Sequence, residues 1–362
     1  MTRWQIPESV PLPTAQGVER REHLFEEPVR AAILAALGAA RPLLVRGEPG
    51  VGKTELAEAA AVALHRRFLP TVVDSRTEAR DLMYTVDSVR RLAEAQLMGA
   101  VASFLPPRNP TAASEPNQQD ATASGRTMET WMRDVGQLIG LRVDLSRFIT
   151  PGPLWWAFDW KSAWDQSKLA ESPSAHGEKE WAESGGAAVV LIDEIDKAEA
   201  DVPNGLLEAL GNRQFPVPGR VNAIAQQGAT PLVVITTNEE RALPDAFLRR
   251  CVVLDLELPG RFERDGRNPV LHDWLVKRGV HHFFGENPQT SISVLKRAAD
   301  LLLVDRHQAV VSQWSPKPGQ AEYLDLVRAV VELDPGVDNE SQQLKRLEAV
   351  SRFVLRKHRS GT

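Results

Sequence analysis

The chain has 362 residues, 43% of them hydrophobic and 25% charged, with a net charge of −5. That length suggests two domains with a sizeable core, and the mild acidity argues against a protein that coats nucleic acid, which favours a basic surface. One cysteine, Cys251, excludes an internal disulfide and a multi-cysteine metal site and reads as a buried structural thiol. No apolar run reaches the roughly 18 residues of a membrane span, and the first residues lack a signal-peptide pattern. The expectation is a cytoplasmic protein.

In chain order, residues 1–21 read as a proline-containing lead-in and 22–40 as an alanine-rich helix. Pro42-Leu43-Leu44-Val45 reads as a strand. From Lys53, KTELAEAAAVALHRR reads as a helix with Leu56, Ala60, Ala63 and Leu64 on one face. Between them lies GEPGVGKT, residues 47–54. Strand, glycine-rich turn and helix form the context of a phosphate-binding loop. Gly47, Gly50 and Gly52 let backbone N–H groups turn toward a triphosphate, and the helix N-terminus adds its positive dipole end. Lys53 would reach the β- and γ-phosphates, and the Thr54 hydroxyl would ligate Mg²⁺. Glu48, Pro49, Val51 and Glu55 complete the candidate nucleotide-contacting stretch.

Phe68–Asp74 reads as a second strand and Glu78–Phe104 as one long helix. Residues 106–126 contain no core-forming side chain and read as a disordered loop. Residues 127–183 hold six of the nine tryptophans, Trp131, Trp155, Trp156, Trp160, Trp164 and Trp181. That insert reads either as packing on the nucleotide-binding core or as a partner-binding surface. The runs at 187–192, 231–237 and 251–256 are apolar without alternation, which implies a parallel sheet covered by helices on both faces. After Pro259 the strand signals fade, and 290–312, 318–333 and 339–357 read as helices. The expected fold is α/β: a phosphate-loop domain over 22–259, with a small all-helical domain over 260–362.

Asp193 and Glu194 directly follow the apolar strand AAVVLI, at the strand end where α/β sheets bind ligands. One carboxylate, Asp193, would hold Mg²⁺, and the other, Glu194, would polarise an attacking water. Asn238 ends the next strand, where its amide either orients that water or simply caps the strand. Arg249 and Arg250 follow a short helix and suit developing phosphoryl charge. Lys317, in SPKPG at a helix start, reads as a cation that reaches the nucleotide or as a solvated lysine. His281-His282 has no further metal ligand at useful spacing, and the basic run at the C-terminus reads as a solvated helix end.

This order of motifs resembles an AAA+ ATPase, and LIDEIDKAEADVPNGLLEALGNRQFPVPG, GPL at 152–154 and LPDAFLRR at 243–250 resemble its MoxR branch. The span 74–92 and DEIDKA are similar to the MoxR-like ATPases found beside von Willebrand A proteins in bacterial gene clusters. The resemblance runs over roughly residues 22–333, interrupted at the loop and the Trp-rich segment. It implies ATP and Mg²⁺ as cofactors and a chaperone-like, ring-forming ATPase, a hexamer by family expectation. The implied partner is a protein client, such as a von Willebrand A domain protein. Gly52, Lys53 and Thr54 fall on the Walker A positions, Asp193 and Glu194 on Walker B, and Asn238 on sensor 1. Arg250 falls on the arginine finger, although Arg249-Arg250-Cys251 departs from the family's Asp-Arg-Phe. Lys317 falls where a sensor 2 arginine usually sits. A motor driven by DNA or RNA and a slow nucleotide-gated scaffold are the alternative functions.

Overall fold

A computed structural model describes residues 4–13, 21–103, 136–137, 140, 142–172, 177–199, 201–284 and 288–356. The expected loop at 106–126 and Trp131 lie outside those residues. The chain forms two compact units, one of residues 1–79, 182–208 and 228–362, the other of residues 80–181 and 209–227.

The first unit is built on a five-stranded sheet: β1 (Leu43–Arg46), β2 (Arg67–Val72), β3 (Ala188–Asp193), β4 (Leu232–Thr237) and β5 (Val252–Asp255). Every pairing is parallel, and the order across the sheet is β5-β1-β4-β3-β2. All of β4 and the first five residues of β3 are buried. Continuous Val, Ile and Leu runs suit strands covered on both faces, which is why they carry no polar alternation. Within each strand alternate residues share a face. Leu43, Val45, Val189, Leu191, Leu232 and Val234 thus meet Ile33 and Leu37 of helix Glu27–Ala39, and Leu56, Ala57 and Ala60 of helix Lys53–Ala63. The register sets Thr237 opposite Arg46 and Ile235 opposite Ile192. The C-terminal ends of β1, β3 and β4 therefore deliver residue 47, Asp193 and Asn238 to one edge.

A second core in this unit joins four helices, Pro269–Phe283, Ile292–Val311, Gln320–Leu333 and Glu340–Val354, around Leu275, Leu295, Leu302, Tyr323, Leu326 and Leu347. The first of these helices is missing from the sequence reading. Its start is nonetheless encoded locally, because Asn268 Oδ1 accepts from Leu271 N at 3.0 Å and Pro269 opens the first turn.

Two other expectations are corrected. Residues 22–40 are not one helix. Arg21–Leu24 is a strand paired antiparallel with Ser9–Leu12, whose Val10 and Leu12 enter the core. The helix begins only at Glu27, where Pro28 pre-sets its first turn. Nor is Glu78–Phe104 one helix. A 3-10 turn at Ala79–Leu82 and a strand at Tyr84–Val86 precede helix Ser88–Ser103. That strand pairs antiparallel with Ile149–Pro151, a partner too distant for local periodicity to reveal.

In the second unit, helices Pro153–Phe158, Trp160–Leu169 and Glu178–Glu183 carry the tryptophans. Trp155 and Trp181 are fully buried. Trp181 stacks against Trp156 at 5.6 Å and Trp160 at 6.1 Å between ring centroids. Trp155 Nε1 donates to Ser162 Oγ at 2.8 Å, and its ring meets Phe215 edge-on. These rings build this unit's own interior. Phe215 belongs to a hairpin, Gln214–Phe215 with Ile224–Ala225, that follows helix Asp201–Asn212.

Candidate functional site

The turn from β1 into helix Lys53–Ala63 has a shape only glycine can hold. A Cβ on Gly47 would lie 2.3 Å from the Leu256 carbonyl oxygen. Gly50 has φ +78° and Gly52 caps the helix at φ +97°. Lys53, 7% exposed, folds back into this turn. Its Nζ donates to the carbonyl oxygens of Gly47 at 2.6 Å and Glu48 at 3.0 Å, and to Asn238 Oδ1 at 2.7 Å. Burial pushes the ammonium below the ordinary lysine range, while the carboxylates of Asp193, Asp196, Glu194 and Glu239 push it back up.

Asp193 ends β3 between two hydroxyls. Thr54 Oγ1 donates to its Oδ2 at 2.9 Å, and Thr236 Oγ1 donates to its Oδ1. Glu194 takes left-handed backbone angles, φ 59° and ψ 47°, with its N–H held by Thr236 Oγ1 at 2.9 Å. Asn238 Nδ2 donates to Glu194 Oε1 at 3.4 Å. The amide of Asn238 therefore bridges Lys53 and Glu194. The cleft, about 360 Å³, is lined by Pro49, Gly50, Gly52, Lys53, Thr54, Glu55, Glu58, Asp193, Glu194 and Asn238, with Gln320, Ala321 and Leu324 from the helical region. His23 Nδ1 meets Glu55 Oε1 at 2.9 Å.

Sequence reasoning names most of these side chains, and the fold brings Lys53, Thr54, Asp193, Glu194 and Asn238 together. Glu48, Lys317 and the arginine pair sit elsewhere. Glu48 turns its carboxylate to the helical region, where Oε2 accepts from Arg306 Nη2 at 2.6 Å and Oε1 from Lys317 Nζ at 3.0 Å. Burial alone would raise the Glu48 carboxyl pKa, but these two cations outweigh it and hold it below the usual carboxylate range. Lys317 is thus on Glu48, and Gln320, buried at the start of helix Gln320–Leu333, lines the cleft. The Ala321 N–H also donates to the Gly50 carbonyl at 3.0 Å. Arg249 and Arg250 are exposed beyond the turn Asp245–Leu248, outside the cleft. The Arg249 carbonyl accepts from Arg41 Nη1 at 3.3 Å. Cys251 is buried, and its thiol is pushed up to about 12 by desolvation.

Thr236, Asp196, Arg306 and Gln320 went unnamed at the sequence level. Thr236 and Asp196 have a signal there, the hydroxyl pair in ITTN and the third acid of DEID. Arg306 and Gln320 have none, because only folding brings them to the loop.

Residues 42–116 match the family described as AAA domain (dynein-related subfamily). The fold is of the AAA+ phosphate-loop class. That assignment rests on the strand order, the loop geometry and the matched segment. Among solved structures the chain is similar to a "putative ATPase" from Cytophaga hutchinsonii, at 13% identity, covering 90% of this chain and 79% of that one with a TM-score of 0.33. It is also similar to a mutant of RuvB from Thermotoga maritima, at 15% identity, covering 90% and 68% with a TM-score of 0.39. No curated protein matches the chain. Among the described residues no helix is long and apolar enough to cross a membrane.

Proposed function

We propose that this chain is an ATP-hydrolysing AAA+ protein of MoxR type that assembles into a ring and remodels or activates a protein partner. One observation carries the ATPase part: Asn238 holds Lys53 at 2.7 Å and Glu194 at 3.4 Å beside a glycine-rich turn at the end of a parallel sheet. Lys53 would exchange the loop carbonyls for β- and γ-phosphate oxygens. The N–H groups of the loop and the helix N-terminus would take the remaining phosphate charge. Glu194 would draw the proton from the attacking water, and Asn238 would fix that water's position. Thr54 and Asp193, whose oxygens already lie 2.9 Å apart, form the hard oxygen set that suits Mg²⁺, which when bound supplies charge neutralisation at the phosphates. Glu48 and Lys317 would act on the loop from its far side, by way of the helical lid over 260–362.

Lys53→Ala should abolish tight ATP binding, because the loop then has no cation for the phosphates. Isothermal calorimetry reads this directly, and unchanged affinity would remove the assignment. ATPase rates measured alone, with DNA and with a protein encoded nearby separate a protein remodeller from a nucleic-acid motor.

A further inference from the structure

Past Glu194 the chain enters a short 3-10 turn, Ile195–Lys197. Asp196 in that turn is only 2% exposed. A buried carboxylate needs hydrogen-bond partners to offset its desolvation, and the partners here are backbone amides of the turn after β4. Oδ1 accepts from Asn238 N at 3.4 Å and Oδ2 accepts from Glu240 N at 3.0 Å. The same two turns are joined twice more. Lys197 Nζ donates to Glu240 Oε2 at 2.7 Å, and Arg241 Nη1 donates to the Ala198 carbonyl at 3.4 Å. Between the two amides that Asp196 holds, Glu239 adopts φ 60°, a left-handed conformation that its surroundings must enforce. Asp196 does not itself line the cleft. Its hydrogen bonds reach the cleft through Asn238, while its charge acts on Lys53 without contact.

We infer that Asp196 is a positioning residue: its carboxylate fixes the backbone of Asn238, and so the placement of the amide between Lys53 and Glu194. The inference rests on the ATPase reading. A group displaced by about 1 Å can cost about 10²-fold in rate. Asp196 therefore governs turnover while touching neither nucleotide nor water.

The test is a double-mutant cycle on the full chain, read as kcat and as ATP affinity by calorimetry. Asp196→Asn keeps the volume, but it turns one acceptor oxygen into a donor facing an N–H group. It should lower kcat by about 10²-fold and leave ATP affinity within a few fold. In an Asn238→Ala background the same substitution should cost nothing further, because the two residues act as one unit. Independent, additive losses would overturn the inference, as would a fall in affinity that matches the fall in kcat. Should Asp196→Asn fail to fold, Asp196→Glu keeps the charge, moves the carboxylate by one methylene and completes the same cycle. A wild-type chain with no ATPase activity removes the ATPase reading and this inference together. An active wild type with a fully active Asp196 variant removes this inference alone.

Discussion

Glu194 sits in a left-handed backbone conformation that a side chain with a Cβ disfavours by about 1–3 kcal/mol. The conformation persists because the Thr236 hydroxyl takes its N–H and the Asn238 amide reaches its carboxylate. Glu194→Gln preserves those hydrogen bonds and removes only the basicity. The variant should bind ATP like the wild type and lose turnover by about 10²–10⁴-fold, the usual contribution of a general base. A phosphate-release assay with saturating ATP reads the loss, and near-normal turnover would assign water activation to another group. At this scale the sequence is legible wherever chemistry is local. GEPGVGKT carries its own turn geometry, and Asp193, Glu194 and Asn238 mark themselves as polar residues ending apolar strands. Long-range contacts leave no such mark. Lys317 has the charge expected at the nucleotide, yet Glu48 holds it, and the neutral Gln320 lines the cleft.

Helices and strands divide along the same line. The buried strands β3 and β4 read cleanly because unbroken apolar runs have few other uses. Tyr84–Val86 and Arg21–Leu24 read as helix because each is short and defined by its antiparallel partner, which for Tyr84–Val86 lies far along the chain. Helix Pro269–Phe283, overlooked in the sequence, carries a titratable group of consequence near its C-terminal end. Burial holds His282 down at about 4, from an ordinary 6.5; Arg328, Arg278 and His23 push the same way and Glu55 opposes. Between those two values the unfolded chain binds the proton and the folded chain does not. His282 therefore costs no stability above about pH 6.5, and its cost grows as pH drops toward 4. The full loss is on the order of 3 kcal/mol. Urea midpoints at about pH 7.5 and pH 5 should differ for the wild type and differ less for His282→Gln, and equal differences would show that other groups govern the slope.

For the whole molecule, the question is what lies outside a single chain. Arg249 and Arg250 are exposed and away from their own cleft, so a catalytic role requires another subunit's nucleotide. In the proposed ring, Arg250→Ala should bind ATP normally and hydrolyse it about 10³–10⁵-fold more slowly, the range for an arginine supplied in trans. Mixing it with Lys53→Ala subunits should restore part of the rate at interfaces that pair an intact loop with an intact arginine. No recovery in rings that demonstrably mix would exclude a trans role, and a larger loss in Arg249→Ala would move the role by one residue. The parallel-sheet class is legible from the apolar runs. The second unit's tryptophan interior is not, because a tryptophan-rich segment suits a docking face as well as a core. Glu48 has a further consequence, for the order in which the molecule is made. The cations that brace the phosphate loop, Arg306 and Lys317, follow 258 and 269 residues after Glu48. Contacts of such sequence separation close late, so the loop is made long before the cations that brace it.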